Sequence, residues 1–187
     1  MTHSRHSTPL LLLKWLCALL LVGLPVFIFA HKPSDKQEDT PAEDPDIQYA
    51  ADLLKPGTDA PDFTLCDIQD KPVKFSDLQG KTVALVFWAS WCPDCRAEVP
   101  LLKEMYASKP ADVEFVSVSF DREKEKWLSY VAENELPGIQ VFDPAGKKES
   151  AVADAYGVKW IPSLYLIGPD GRIRLATVVA EKIQKAL

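Results

Sequence analysis

The sequence predicts an α/β domain in which helices flank a mixed sheet. Apolar strand-like segments alternate with segments of helical spacing in the middle of the chain, and pairs of short strand-like segments around polar turns lie on either side. With 187 residues, of which 47% are hydrophobic and 26% charged, the chain can build one compact core. The formal net charge of −6 argues against a surface for nucleic acids.

Residues 1–30 predict a signal peptide or a membrane anchor. A basic start leads into Leu10–Ala30, which is apolar except for one lysine. Pro25 interrupts this stretch and favours a signal, whereas Ile28 and Ala30 form a poor cleavage site, so both alternatives stay open. Either one places the rest of the chain outside the cytoplasm, in the periplasm, secreted, or anchored to the inner membrane.

Residues 31–55 are predicted to be a polar tether, and residues 56–187 to be the folded domain. Lysine, aspartate, glutamate and proline dominate residues 31–46, a composition that cannot bury a core. Pro56 and Gly57 then break the chain before the first strand-like segment.

The domain opens with a predicted β-hairpin formed by Ala60–Ile68 and Pro72–Ser76. Cys66 in its first strand is either a third redox thiol or a small strand residue, and we favour the second because no cysteine is near it in the sequence. The apolar run Thr82–Trp88 predicts a strand covered on both faces. A helical pattern follows it from Pro93, a residue that helices tolerate at their first position.

The second half of the domain continues the alternation. A strand is predicted at Val113–Phe120, and Asp121 is placed to cap the next helix. Lys148–Tyr156 predicts a further helix. A second hairpin, Ser163–Ile167 with Arg172–Ala176, and a C-terminal helix complete the domain.

Cys92 and Cys95 form a Cys-x-x-Cys pair where the first buried strand meets its helix. A helix N-terminus offers unpaired N–H groups and a favourable dipole to a thiolate, which favours thiol–disulfide exchange. The same spacing is half of a zinc site, but no cysteine or histidine follows Cys95, so a protein-complete zinc site is not expected. A structural disulfide is the remaining alternative, although so short a loop contributes little stability.

The stretch Trp88–Cys95, with Ile161-Pro162 downstream, resembles the active site of the thioredoxin superfamily. Ala60–Leu65, Glu98–Pro100 and Gly168–Gly171 make the chain similar to the TlpA/ResA/CcmG branch of extracytoplasmic, often membrane-tethered thiol–disulfide oxidoreductases. The resemblance covers the whole predicted domain and implies a thioredoxin-like fold.

The resemblance also implies roles for three side chains. Cys92 would be the exposed nucleophile that forms a mixed disulfide with a client protein, and Cys95 the less exposed thiol that resolves it, so that the pair forms a redox-active disulfide. Glu98, three residues beyond Cys95, would relay the proton of Cys95. The alternative for Glu98 is a solvated surface acid.

Pro162 matches the cis-proline of the superfamily. If its peptide bond is cis, the backbone of Ile161 is free to pair with an extended client segment. Trp91 would flank the nucleophile as an apolar contact. Trp91, Ile161 and Pro162 are thus the substrate-binding residues that the resemblance implies, whereas Trp88 is expected in the core.

Two positions depart from the superfamily pattern. Val86 occupies the place of a buried aspartate of cytoplasmic thioredoxins, so either Glu98 takes over its proton transfer or the cysteine pair is less finely tuned. Asp94 lies between the cysteines, where its charge opposes a thiolate on Cys92. We therefore expect a reductase.

Together these features predict an exported reductase of protein disulfides with no bound cofactor and no metal. The resemblance implies a membrane dithiol as electron donor, and clients such as an apocytochrome c during cytochrome c maturation. A peroxiredoxin-like thiol peroxidase is an alternative, although Ala89 lies where peroxiredoxins carry a threonine. A tethered binding module with a structural disulfide is a non-enzymatic alternative.

Overall fold

The computed structural model describes residues 43–187, so the predicted signal or anchor and residues 31–42 of the predicted tether lie outside the described residues. Seven strands form one sheet: Thr64–Asp67 (β1), Pro72–Lys74 (β2), Thr82–Trp88 (β3), Val113–Ser119 (β4), Ile139–Phe142 (β5), Ser163–Ile167 (β6) and Ile173–Thr177 (β7). Their order in the sheet is β2-β1-β5-β4-β3-β6-β7. The three central strands β5, β4 and β3 are parallel, and antiparallel pairs extend the sheet on both sides.

Within residues 43–187 six helices accompany the sheet: Pro45–Tyr49 (α1), Pro93–Ser108 (α2), Lys124–Glu133 (α3), Gly146–Glu149 (α4), Ala151–Ala155 (α5) and Ala180–Ala186 (α6). A 3₁₀ turn covers Phe75–Leu78. The predicted mixed sheet with flanking helices is confirmed, and β1 pairs with β2 as a hairpin. None of the helices within residues 43–187 is long and apolar enough to cross a membrane.

Strand β3 divides the core because its side chains alternate between the two faces of the sheet. One face, here called the aromatic face, is built around five buried side chains, Leu85, Phe87, Phe120, Tyr156 and Tyr165. The other, here called the cysteine face, contains Val86, Trp88, Cys92, Cys95 and Trp127. Both faces are covered, which explains the continuous apolar run that predicted β3.

The folded domain begins earlier than the predicted boundary at residue 56. Helix α1 is attached to the C-terminal part of the domain through Asp46, whose carboxylate accepts hydrogen bonds from Thr177 Oγ1 at 2.8 Å, Val178 N at 2.7 Å and Lys182 Nζ at 2.6 Å. Leu53 is buried in the core of the aromatic face. These contacts place the last part of the predicted tether within the domain.

The predicted helix Lys148–Tyr156 is divided in two at Ser150. The Ser150 hydroxyl accepts a hydrogen bond from Ala153 N at 2.8 Å and donates one to Asp143 Oδ2 at 2.5 Å. Ser150 therefore acts as the N-cap of α5, and its extended backbone ends α4.

Candidate active site

The cysteine pair lies at the carboxyl end of β3, where the chain enters α2. Cys92 is the N-cap of α2 and has extended backbone dihedrals, while Pro93 occupies the first helical position as predicted. Cys92 Sγ accepts a hydrogen bond from Cys95 N at 3.2 Å, so one of the free N–H groups of the helix faces this sulfur. In residues 43–187 the cysteines at 66, 92 and 95 are all free thiols.

Cys92 is not the exposed nucleophile that the resemblance implied. Only 4% of Cys92 and 2% of Cys95 is exposed, so the two thiols differ little in accessibility. The segment that precedes β6 contacts the sulfur, because the Cys92 thiol donates a hydrogen bond to Ile161 O at 3.5 Å. A client must therefore displace this contact before it reaches the sulfur.

The Cys95 thiol lies in surroundings that disfavour its ionisation. Burial raises its pKa most, and the hydrogen bond and charge of Cys92 and the charge of Asp94 add to this effect. The backbone of Ala89 acts in the opposite direction. Cys95 must consequently lose its proton to a base before it can attack a disulfide.

Glu98 lies where such a base is needed. Together with Cys95, Val86 and Trp88 it lines a cavity of about 30 Å³ beneath α2. Burial raises the pKa of the half-buried Glu98 carboxyl, the charge of Glu181 raises it further, and the backbone of Ala180 lowers it. Glu98 is thus a partly buried acid that lines the same cavity as Cys95, and its role in proton transfer stays a prediction.

The Ile161–Pro162 peptide bond is cis, as the resemblance implied. Strands β3 and β6 are paired antiparallel with Phe87 opposite Ser163, and this register brings the proline next to the cysteine loop. Trp91 is 53% exposed, in agreement with a surface role, whereas Trp88 is buried in the core.

An open groove of about 330 Å³ adjoins this proline, lined by Asp94, Glu98, Ile161 and Pro162 together with Tyr49 and Trp160. The two aromatic rings are in edge-to-face contact with centroids 5.1 Å apart, and Trp160 is 53% exposed. Neither ring was predicted to belong to the site. The position of Trp160 directly before Ile161-Pro162 was a usable signal, whereas nothing local to Tyr49 indicated that α1 reaches the site.

Asp121 was predicted to cap α3, and that prediction is wrong. Helix α3 begins at Lys124 with Glu123 as its N-cap, and the Asp121 carboxylate instead binds Ser90 and Ser119 near the cysteine loop. No group of three or more cysteine, histidine or acidic side chains suited to a metal ion occurs in residues 43–187.

Comparison with known proteins places the chain in a family. The family model described as "AhpC/TSA family" matches residues 56–176. The thiol-disulfide oxidoreductase ResA of Oceanobacillus iheyensis is 36% identical over 126 residues, which are 65% of this chain and 64% of the relative. The Bacillus cereus protein of the same name is 30% identical over 132 residues, or 70% and 73% of the two chains. This chain thus spans slightly less than two thirds of the Oceanobacillus protein.

A solved structure has the same fold. The thioredoxin domain of a thiol-disulfide oxidoreductase from Bacteroides vulgatus superposes with a TM-score of 0.65 at 29% identity, covering 71% of this chain and 95% of that domain. The sheet and the site at the carboxyl end of β3 lie within the part of the chain that these comparisons match. The chain therefore belongs to the AhpC/TSA family of thioredoxin-like proteins, and its similar relatives there are thiol–disulfide oxidoreductases of the ResA type.

Proposed function

We propose that this protein is a thiol–disulfide oxidoreductase that reduces disulfides of client proteins outside the cytoplasm. The observation that carries the proposal is the position of Cys92, with its sulfur 3.2 Å from Cys95 N and 3.5 Å from the carbonyl that precedes a cis-proline. The names of its relatives support the same chemistry.

The reaction proceeds in two exchange steps. The Cys92 thiolate attacks one sulfur of a client disulfide, forming a mixed disulfide and releasing the other client sulfur as a thiolate, which takes up a proton. The Cys95 thiolate then attacks Cys92 Sγ, which forms the Cys92–Cys95 disulfide and releases the second client thiolate. The client gains two electrons and the enzyme pair loses two, and an external dithiol donor restores the pair.

Glu98 accepts the proton of Cys95 in the second step. The pKa of the Cys95 thiol is raised, so few molecules hold it as a thiolate without a base. A carboxyl whose own pKa is raised transfers protons nearer neutral pH than an exposed one. The shared cavity gives the two groups a common space in which a proton can pass directly or through water.

The groove beside Pro162 receives the client. An extended segment paired with the backbone of Ile161 competes with the Cys92 thiol for the Ile161 carbonyl, so client binding frees the sulfur at the moment it is needed. Trp91, next to Cys92 in the chain, and Trp160, next to Ile161, supply exposed apolar surface for the client. Binding and activation of the nucleophile are thereby coupled.

The expected direction of electron flow is towards the client. A disulfide oxidoreductase becomes a strong oxidant when its reduced form is stabilised. Burial and the charge of Asp94 both raise the pKa of the Cys95 thiol, which disfavours a thiolate in the reduced pair. The electron donor is a membrane dithiol, reached from outside the cytoplasm after export by residues 1–30, and an apocytochrome c is one client of suitable chemistry.

Insulin reduction by cysteine variants tests the proposed function. Cys92→Ser should abolish insulin reduction, and Cys95→Ser should accumulate mixed disulfides with clients, because its second step is blocked. The exposed Cys66 is a matched control, and Cys66→Ser should retain activity. Full activity of Cys92→Ser would refute the assignment, and robust peroxide turnover with a thiol donor would support the peroxidase alternative instead.

A further inference from the structure

A buried carboxylate without a cationic partner lies next to the cysteine loop. Asp121 is 1% exposed, and no lysine, arginine or histidine within residues 43–187 forms an ion pair with it. Three donors satisfy it instead: Ser90 N at 3.0 Å, Ser90 Oγ at 2.6 Å and Ser119 Oγ at 2.7 Å. Buried carboxylates are costly unless they are fully hydrogen-bonded, so this arrangement indicates a position that is held firmly.

These hydrogen bonds connect two separate parts of the chain. Asp121 and Ser119 belong to the carboxyl end of β4, whereas Ser90 lies two residues before Cys92. The connection is reinforced by Phe120 N, which donates to Trp88 O at 2.9 Å. The segment between β3 and α2 is thus fixed to the end of the neighbouring parallel strand.

The fixed segment forms the turn that presents the nucleophile. Cys92 N donates to Ala89 O at 3.1 Å, so the turn begins one residue before Ser90 and ends at Cys92 itself. The backbone of Ala89 also lowers the pKa of the Cys95 thiol, in opposition to burial. A displacement of Ser90 would therefore change the position of Cys92 and the surroundings of the Cys95 thiol.

We propose that Asp121 is a positioning residue for thiol–disulfide exchange, which holds the Ala89–Cys92 turn through Ser90 and thereby stabilises the reduced form of the cysteine pair. The inference rests on the proposed function. In the oxidised form the Cys92–Cys95 bond fixes the Cys92 side chain at the end of this turn, whereas in the reduced form only hydrogen bonds hold the Cys92 sulfur. Loss of the Asp121 contacts should consequently destabilise the dithiol more than the disulfide, and the pair should become more reducing.

Redox equilibration with glutathione measures this difference in the full chain. Protein dithiol and glutathione disulfide give protein disulfide and two glutathione molecules, so the equilibrium constant reports the relative stability of the two forms. Asp121→Asn should shift it towards the protein disulfide by about tenfold, which equals about 30 mV. Ser90→Ala loses only the hydroxyl contact and should shift it by about threefold. Ser90→Thr keeps the hydroxyl and should stay within about twofold of wild type.

Asp143 provides a matched control. It is 5% exposed and accepts hydrogen bonds from Ser150 Oγ at 2.5 Å and Ala145 N at 3.0 Å, but its carboxylate holds α5 rather than the cysteine loop. Asp143→Asn should lower thermal stability in the same way as Asp121→Asn and leave the glutathione equilibrium unchanged. A stability effect alone is in this way separated from a redox effect.

Two results would overturn the inference. One is an equilibrium constant within twofold of wild type for Asp121→Asn or, if Asp121→Asn fails to fold, for the milder Ser90→Ala. The other is an equal shift in Asp143→Asn. Failure of the proposed function is distinguishable from both, because wild-type protein would then not equilibrate with glutathione or reduce insulin.

Discussion

The two faces of the sheet differ in how completely their buried polar groups are paired. On the aromatic face, Tyr156 Oη donates to Pro61 O at 2.7 Å, and Tyr165 Oη donates to Tyr156 O and accepts from Leu54 N at 3.1 Å. On the cysteine face three buried atoms find no hydrogen-bond partner among residues 43–187: Trp88 Nε1, Trp127 Nε1 and Gln140 Oε1. The cavity beside Cys95 lies on this second face.

We infer from this difference that the aromatic face mainly stabilises the fold, whereas the cysteine face carries the chemistry. An unpaired buried polar group costs about 1–3 kcal/mol, and an interior cavity forfeits packing contacts as well. The cysteine face tolerates both next to a thiol and a carboxyl whose pKa values are raised. The aromatic face compensates with closely packed rings, so substitutions there should act on stability and leave the redox equilibrium unchanged.

Phe87→Ala should have the largest effect and should act on stability. Phe87 is fully buried, and its ring lies 5.7 Å from that of Phe120 and 5.2 Å from that of Tyr156. Removal of such a side chain costs about 3–5 kcal/mol in the free energy of unfolding. Urea unfolding monitored by tryptophan fluorescence measures the loss, and the glutathione equilibrium of the folded fraction should not move. A loss below about 1 kcal/mol would contradict the role given to this face.

Tyr165→Phe should have a smaller effect of the same kind. The change removes one hydroxyl and leaves Leu54 N without its acceptor and Tyr156 O without its donor. We expect a loss of about 1–3 kcal/mol in the free energy of unfolding, because these groups remain buried or half-buried. Urea unfolding again provides the measurement, and an unchanged midpoint would show that the hydroxyl network contributes nothing.

Features with a local cause could be predicted from the sequence, whereas features that depend on distant residues could not. Strand β3 was predicted at its observed bounds because the apolar run Thr82–Trp88 is a local signal. The partner of Asp121 could not be predicted. An aspartate at this position can cap the next helix or accept hydrogen bonds from Ser90, 31 positions earlier, and the sequence does not distinguish the two. The burial of Cys92 likewise depends on Ile161, which is 69 positions away. The attachment of α1 depends on the contact of Asp46 with Thr177, which is 131 positions away.

Glu98→Gln should change how stability depends on pH. The pKa of Glu98 in the folded protein lies above its usual 4.5, so the folded protein holds this proton over a pH range in which the unfolded chain has released it. Wild-type stability therefore falls as pH rises from about 4.5 through that range, and the glutamine variant lacks this fall. The difference should stay below about 1 kcal/mol, because the carboxyl is half exposed and solvent screens its charge.

The comparison for Glu98 is made by urea unfolding at pH 4 and pH 7.5. Glu98→Gln should gain stability relative to wild type at the higher pH, and Glu104→Gln, which changes an exposed acid of the same helix, should follow wild type at both. Glu98→Gln should also slow resolution of the mixed disulfide by about 10²-fold or more if Glu98 is the base. Parallel pH profiles of the variant and wild type would show that the burial of Glu98 has no energetic consequence.

Gln140→Met should have the smallest effect on the free energy of unfolding, and a small change is the informative result. Gln140 Nε2 donates to Pro137 O at 2.6 Å, while its Oε1 is buried without a partner among residues 43–187. A methionine of similar length loses the one hydrogen bond but also removes the unpaired oxygen, and these contributions are opposite in sign and each about 1 kcal/mol. The free energy of unfolding should therefore change by less than about 1 kcal/mol, in contrast to Tyr165→Phe. A loss as large as that of Tyr165→Phe would mean that Oε1 is satisfied in solution, with water in the cavity beside Cys95 as its partner, and the difference in pairing between the two faces would then be smaller.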